Sequence, residues 1–552
     1  MEDRPWFKSY APDVPRHIDY EQVTIPAGLR RSAARFGEKT ALYYMGAKIS
    51  FSQLDAMVDR FAAALRALGV GKGDRVAIAL PNIPQIIIAN MAIYRLGAVV
   101  VLNNPLYTER ELTYQFNDSE AELVITLSLL VPRILKVMPD TGVRKVIGCQ
   151  INAYLPFPKK QLFPLVKKDM YARNEPDERV LDFDEVMKGS PGGTVEDLSS
   201  WDELSTLIYT GGTTGQAKGV MLSHANISSN VQQFRAWFPD LVDGETSIVG
   251  TFPIFHAAGF TACQNFMLWS GWEHVMIPRP EPKTIVELLR KARPEFLPGV
   301  PAIFVGLLAD PEFRKMDLSF IRGFFSGAAP LAEDTIRDLK ALTGATILEV
   351  YGMTETTPVA TITPWGGEIK PGTVGCPVPD TDVKIVDLET GREELPLGET
   401  GEIAITGPQI MMGYYKKPAE TAETLRDGWV YTGDIGFFDS DGYLSVVDRK
   451  KDMVISSGYN IYPVEVDNVL FDHPGILEAC CVGYSDSYRG ESLRAFVVTK
   501  EGVTLTEDEV ISFCRDRLAP YKVPKQVVFM EELPKTVVGK ILRRELRDKE
   551  AD

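Results

Sequence analysis

A chain of 552 residues is too long for one compact core, so more than one domain is expected. Its formal charge of −16 excludes a general nucleic-acid binder, which needs a basic face, but leaves room for anionic ligands at local cationic or amide-lined sites. With 45% hydrophobic and 24% charged residues the balance is that of an ordinary soluble globular protein, so neither a disordered nor a membrane-embedded chain is expected.

The opening MEDRPWFKSYAPDV lacks a basic segment followed by an apolar stretch, so no secretory leader is expected. Asp74 to Leu80 reads as a buried strand, Pro81 to Pro84 as a turn, Gln85 to Leu96 as a helix stopped by Gly97, and Ala98 to Leu102 as a second strand. A membrane span needs roughly 20 predominantly apolar residues. The run from Val76 to Leu102 is interrupted by Pro81, Asn82, Pro84, Asn90 and Arg95, and strand–helix–strand inside a core fits it better. Glu109 to Asn117 continues as a helix and Leu123 to Thr126 as a strand, and this alternation implies a parallel α/β sheet.

Residues 151–173 break the rhythm. Apolar side chains, including Leu155, Phe157, Leu162, Phe163 and Leu165, are interleaved with Lys159, Lys160, Lys167 and Lys168, and prolines forbid a long helix. The segment is either a surface excursion or an interfacial patch. From Thr381 to Thr406 short β segments with tight turns imply a small antiparallel region. The charged run Asp448 to Asp452 lies between strand-like Leu444 to Val447 and Met453 to Ile455. The remainder, with apolar segments Ala479 to Val482 and Ala495 to Val498, reads as a small α+β unit. The expected fold is therefore α/β: a large domain over 1–450 that includes a small antiparallel β region, and a smaller α+β domain over 451–552. Cys149, Cys263, Cys376, Cys480, Cys481 and Cys514 form no CxxC pair, and the five histidines show no HExxH spacing. Neither a disulfide framework nor structural zinc is expected, and a reducing cytosol fits.

The strongest local signal is Tyr209-Thr-Gly-Gly-Thr-Thr-Gly-Gln-Ala-Lys-Gly219. Gly211, Gly212 and Gly215 allow backbone amides to approach a phosphate, Thr210, Thr213 and Thr214 add hydroxyl donors, and Lys218 adds charge. The spacing is not that of the P-loop, because Lys218 follows Ala217 and precedes Gly219. A lone GxxG is usually a flexible turn; this density of Gly, Thr and Lys favours a phosphate site.

Further motifs follow in order: Tyr351-Gly-Met-Thr-Glu355, Tyr431-Thr-Gly-Asp434, Asp448-Arg-Lys-Lys-Asp452 with Ser457-Gly-Tyr-Asn-Ile-Tyr-Pro463, and Pro534-Lys-Thr-Val-Val-Gly-Lys540. Together with the Gly/Thr loop they resemble the adenylate-forming superfamily of acyl-CoA synthetases, peptide-synthetase adenylation domains and luciferases, over nearly the whole chain. The resemblance implies an AMP-forming ligase that uses ATP, Mg²⁺ and coenzyme A. It implies that Thr354 holds the α-phosphate, that Glu355 binds the metal, and that Tyr351, Gly352 and Gly327 lie at the nucleotide. Asp434 would accept the ribose hydroxyls beside Arg449. Lys540 would bridge the acid and the phosphates during adenylation. Lys451 would be the hinge of a mobile C-terminal lid, and Gly458 and Tyr459 would line the pantetheine path in the second step. His256, in Phe252-Pro-Ile-Phe-His-Ala-Ala-Gly259, resembles a family segment beside the acyl carboxylate, where it would gate or orient rather than act as a base.

The Gly-Gly pair of the loop, NNPLYTER at 103–110 and VGKILRREL at 538–546 look closest to bacterial long-chain fatty-acyl-CoA synthetases. A fatty acid substrate is then expected, with cytoplasmic location, and peripheral contact with anionic membrane through 151–173 and a homodimer are left open. Segments 252–260, 298–304 and 323–329 are candidate acyl lining, but chain length is not legible in them. Medium-chain or aryl acids are the nearest alternative. A module loading a carrier-protein thiol fits less well, since no carrier domain is evident in the twelve residues after Lys540. A non-catalytic binding relative conflicts with the presence of Glu355, Asp434, Arg449 and Lys540 together.

Overall fold

The computed structural model describes residues 4–210, 216–327, 329, 331–456, 459–486, 489–536 and 541–547. The expected strand–helix–strand is formed by Arg75–Ala79, Pro84–Arg95 and Val99–Leu102, with Arg75 in register with Val99 in a parallel pair. Every residue of the helix Pro84–Arg95 is buried, which explains why its sequence is apolar on all sides. Arg95, buried at its C-terminal end, is held by Asp55 and Asp59. The next helix, Glu109–Ser119, starts at a capping box in which Thr108 and Glu111 satisfy each other's backbone amides.

These elements belong to an eight-stranded sheet in the order Gly413–Tyr414, Lys218–Ser223, Leu204–Thr210, Val99–Leu102, Arg75–Ala79, Leu123–Leu127, Lys145–Cys149, Val180–Asp182. A nine-stranded sheet has at its centre the parallel neighbours Thr346–Tyr351, Gly323–Ser326, Phe296–Gly299 and Ser247–Gly250. The chain leaves the C-terminal ends of these four strands into Tyr351–Glu355, Gly327, 300–304 and 252–260. That is where ligands bind in open α/β sheets.

The expected antiparallel region is a five-stranded sheet in which Asp382–Val386 pairs with Gly401–Thr406 and Trp429–Phe438 pairs with Leu444–Arg449. The first two residues of the charged run, Asp448 and Arg449, complete a strand, pairing across to Ile435 and Asp434. A second five-stranded sheet, Tyr459–Ile461, Val454–Ser456, Gly490–Thr499, Ile476–Asp486 and Gln526–Phe529, uses only residues beyond 453.

Within 151–173 the apolar side chains divide between core and surface. A short helix, Lys159–Val166, contains Pro164. Leu155 and Phe163 are buried and belong to the core, while Phe157, Leu162, Leu165 and Val166 are exposed. All six cysteines are buried and unpaired.

Candidate active site

Asp434 lies in the strand Trp429–Phe438 directly across from Arg449. Its carboxylate is buried, with Oδ1 3.0 Å from the Arg449 Nε and Oδ2 accepting from the Tyr351 hydroxyl at 2.8 Å. Thr432 Oγ1 accepts the Asp434 amide at 3.0 Å and fixes the bend. Burial, and then the Asp434 charge, push the Tyr351 phenol well above its ordinary range, so it stays protonated and donates. A carboxylate has about four lone-pair sites, so Asp434 retains capacity for two further hydroxyl donors.

The segment after Tyr351 turns sharply. A Cβ on Gly352 would lie 1.6 Å from the Pro358 carbonyl oxygen, so only glycine fits there. The Met353 amide donates to Thr356 Oγ1 at 3.0 Å, and Thr354–Thr356 forms a single 3₁₀ turn with Thr354 and Glu355 buried. Glu355 Oε1 accepts from the Tyr414 hydroxyl at 2.7 Å, and its main-chain carbonyl accepts from the Met411 amide at 2.9 Å. Burial raises the Glu355 carboxyl above its ordinary value, against the opposing pull of Tyr414, Arg449 and Lys218.

On the other side, Thr210 and Lys218 are cross-strand partners where Leu204–Thr210 and Lys218–Ser223 meet. The connecting glycines and threonines, Gly211, Gly212, Thr213, Thr214 and Gly215, lie outside the described residues. The Lys218 ammonium sits 4.7 Å from the centre of the Tyr414 ring. Lys218, Tyr414 and Glu355 therefore form one chain of contacts. Among the described residues no group of three or more His, Cys, Asp or Glu side chains is arranged to hold a metal. One buried carboxylate suits Mg²⁺ arriving with a nucleotide, since that ion binds through one or two carboxylates and the substrate's phosphate oxygens.

His256 Nδ1 accepts the Ala258 amide at 3.4 Å and caps the turn Ala257–Gly259. A Cβ on Gly259 would meet the Pro253 carbonyl oxygen at 2.2 Å, so this close turn requires glycine. A π-helical stretch, Phe260–Phe266, follows; such stretches are frequent at functional sites. Its Thr261 hydroxyl donates to the Thr357 carbonyl at 2.9 Å, tying the His256 segment to the residues just after Glu355. Gly327 is half-buried, and a Cβ there would reach the Val350 carbonyl oxygen only at van der Waals distance, 3.4 Å, so packing does not demand glycine.

Lys451 is exposed in the turn after Arg449. Contacts cross this turn: Asp448 Oδ2 accepts the Val464 amide at 2.8 Å, and Asp452 pairs with Arg547 at 2.8 Å. Burial pushes the Asp448 carboxyl up to about 6. Gly458 and Lys540 lie outside the described residues. The Tyr459 backbone opens the strand Tyr459–Ile461.

Two site neighbours are not legible in the sequence motifs. Tyr414 is one; its only local signal is an aromatic pair after Gly413. Glu349 is the other. It is buried on Thr346–Tyr351 in register with Ser326, and its acceptor contact is the Leu331 amide at 3.5 Å.

The AMP-binding enzyme family model matches residues 29–415, and the AMP-binding enzyme C-terminal domain model matches 465–540. The chain is 42% identical over 552 residues to a long-chain-fatty-acid–CoA ligase of Bacillus subtilis, covering 100% of this chain and 98% of the relative. It is 38% identical to the enzyme of the same name from Salmonella typhimurium, over 98% of both chains. Among solved structures, ATP-bound MatB from Rhodopseudomonas palustris superposes with a TM-score of 0.84 at 31% identity, covering 95% of this chain and 99% of that one.

Glu349 generates a pH-dependent prediction. Burial raises its carboxyl from 4.5 to about 7, so the folded state holds a proton that the unfolded state releases. Stability should therefore fall as pH rises through that window. Glu349→Gln removes this dependence and should gain on the wild type by roughly 2–3 kcal/mol between pH 4.5 and pH 8. Urea unfolding of both proteins across that range checks it; a difference that stays constant with pH would contradict it.

Proposed function

The chain belongs to the AMP-binding enzyme family, and from that premise we propose that it is an AMP-forming acyl-CoA ligase acting on long-chain fatty acids. The observation that carries this reading is the pairing of two buried carboxylates with different neighbours. Asp434, gripped by Tyr351 and Arg449, suits ribose hydroxyls. Glu355, beside Tyr414 and within the field of Lys218, suits a cation on the phosphates. The names of the relatives support the acid and the thiol.

In the first step a carboxylate oxygen of the acid attacks the α-phosphorus of ATP, and pyrophosphate leaves. Negative charge accumulates there, and fixed cations and donors stabilise it. Lys218 and Thr354 would hold the phosphates, and Arg449 would add charge beside the ribose; the glycines and threonines between Thr210 and Lys218 supply further donors in this reading. Glu355 would hold Mg²⁺, which would supply neutralisation of the phosphate charge. His256 orients the acyl carboxylate. In the second step the thiol of coenzyme A attacks the acyl carbon and AMP leaves. The unit over 451–552 is a lid turning at Lys451. In this reading Lys540 would serve the first step, and Gly458, which has no side chain to obstruct pantetheine, would serve the second with Tyr459.

Incubation with ATP, Mg²⁺, coenzyme A and a chain-length series of acids tests this reading. The expected products are acyl-CoA, AMP and pyrophosphate, with the highest kcat/KM for long chains. Best turnover of aryl or medium-chain acids would replace the substrate assignment, and acyl-AMP without acyl-CoA would point to another thiol acceptor. In the same assay Lys540→Ala should lose acyl-AMP formation yet convert supplied acyl-AMP to acyl-CoA, while Gly458→Leu does the reverse. Equal loss of both steps in both folded variants would refute the lid.

Peripheral contact with an anionic membrane through 151–173 also belongs to this reading. Among the described residues no helix is long and apolar enough to cross a membrane. Phe157 is 83% exposed and Val166 72%, and Leu165 stands out beside them. Lys167 and Lys168 flank this surface. Lys159 and Lys160 also flank it but already touch the Met45 carbonyl and Asp184. Each basic residue near an anionic surface contributes about 1 kcal/mol. Charge reversal of the four lysines and Phe157→Ser should each weaken co-sedimentation with phosphatidylglycerol vesicles; binding equal to wild type would leave 151–173 a structural excursion.

A further inference from the structure

Tyr414 stands between the two charges that the phosphate chemistry requires. Its hydroxyl donates to Glu355 Oε1 at 2.7 Å, and its ring face carries the Lys218 ammonium at 4.7 Å from the centroid. Glu355 and Lys218 have opposite charges and face the same residue. In direct contact they would form an ion pair, and each would be partly neutralised before a nucleotide arrived. Instead Lys218 lies over the ring face and Glu355 takes the hydroxyl. A cation over an aromatic face keeps its N–H groups available to other acceptors. A carboxylate that gives one oxygen to a phenol keeps the other for a hard cation.

Tyr414 is fixed by its surroundings. It is buried, its backbone pairs with Val220 in the eight-stranded sheet, and its amide donates to Thr421 Oγ1 at 2.9 Å. Gly413 before it has φ +134°, and a Cβ there would lie 2.8 Å from Thr421 Cγ2, so the approach admits only glycine. The Met411 amide fastens the same segment to the Glu355 carbonyl. The tyrosine and the carboxylate are thus held by a shared backbone as well as by their side chains.

We infer that Tyr414 is the positioning residue of the cation site: its hydroxyl orients Glu355 toward the phosphate-bound divalent ion, and its ring holds Lys218 apart from that carboxylate. The inference rests on the reading of Glu355 as the cation ligand, and the test separates the two. Mn²⁺ serves as the probe, with ATP and no acid, and its binding to the full-length protein is read by electron paramagnetic resonance. AMP without metal is titrated as a control on the ribose side.

Tyr414→Phe keeps the ring and deletes one hydrogen bond to a charged group. It should weaken Mn²⁺–ATP binding on the order of tenfold and leave AMP binding unchanged. Glu355→Gln should weaken Mn²⁺–ATP binding at least as much, and adding Tyr414→Phe to it should cost little more. If Glu355→Gln weakens Mn²⁺–ATP and Tyr414→Phe does not, the role of Tyr414 is refuted and the cation ligand stands. Unchanged Mn²⁺–ATP binding in Glu355→Gln would overturn both. Equal loss of AMP and Mn²⁺–ATP affinity in Tyr414→Phe would show a general packing role and overturn the inference.

Discussion

The carboxylate of Asp434 connects the parts of this molecule that must act together. One oxygen takes the Tyr351 hydroxyl, at the C-terminal edge of the nine-stranded sheet. The other takes Arg449, at the last position of the strand that leads into the 450–452 turn. A buried carboxylate is unfavourable unless donors satisfy it, so these bonds are maintained under a strong energetic constraint. They bring a motif from one sheet, a strand of a second and the approach to the third into a single cluster. The neighbouring residue Asp448 points the other way along the same strand, accepting the Val464 amide beyond the turn. Strand alternation thus lets one segment grip the site with Arg449 and the following unit with Asp448.

The second constraint is charge. A chain of net charge −16 that handles a nucleotide and a carboxylic acid must concentrate positive potential locally. Among the described residues of the proposed site, Lys218 and Arg449 would supply it, together with the cation that Glu355 is proposed to hold. Lys218 lies over a ring rather than against a carboxylate, whereas Arg449 is already paired with Asp434 through its Nε.

Much of this was legible in the chain. The strand–helix–strand over 75–102 was, because a helix apolar on every side has no alternative to full burial. The tight turn at Tyr351–Glu355 was legible because glycine marks a close backbone approach; Gly352, pressed on Pro358, bears that out. Other features were not. Asp448 and Arg449 read only as part of a charged run, since sequence alone does not show the strand pairing that sets Asp448 against Ile435 and Arg449 against Asp434. Leu155 and Phe163 are indistinguishable from Phe157 and Leu165 in a proline-broken segment, where no period separates core from surface. Tyr414 meets Glu355 through strand pairing and a loop, and no spacing rule links positions so far apart. Glu349, buried with little compensation, gives no signal at all outside the folded structure.

The central claim is that the acid is activated as an adenylate before the thiol attacks. Oxygen labelling tests it most directly. Palmitate carrying ¹⁸O in both carboxylate positions is converted with ATP, Mg²⁺ and coenzyme A, and the products are analysed by mass spectrometry. Attack on the α-phosphorus transfers one carboxylate oxygen to the nucleotide, so the AMP should carry a single ¹⁸O and the thioester carbonyl the other. Formation of ADP with the label in inorganic phosphate, or of AMP without label, would contradict the account.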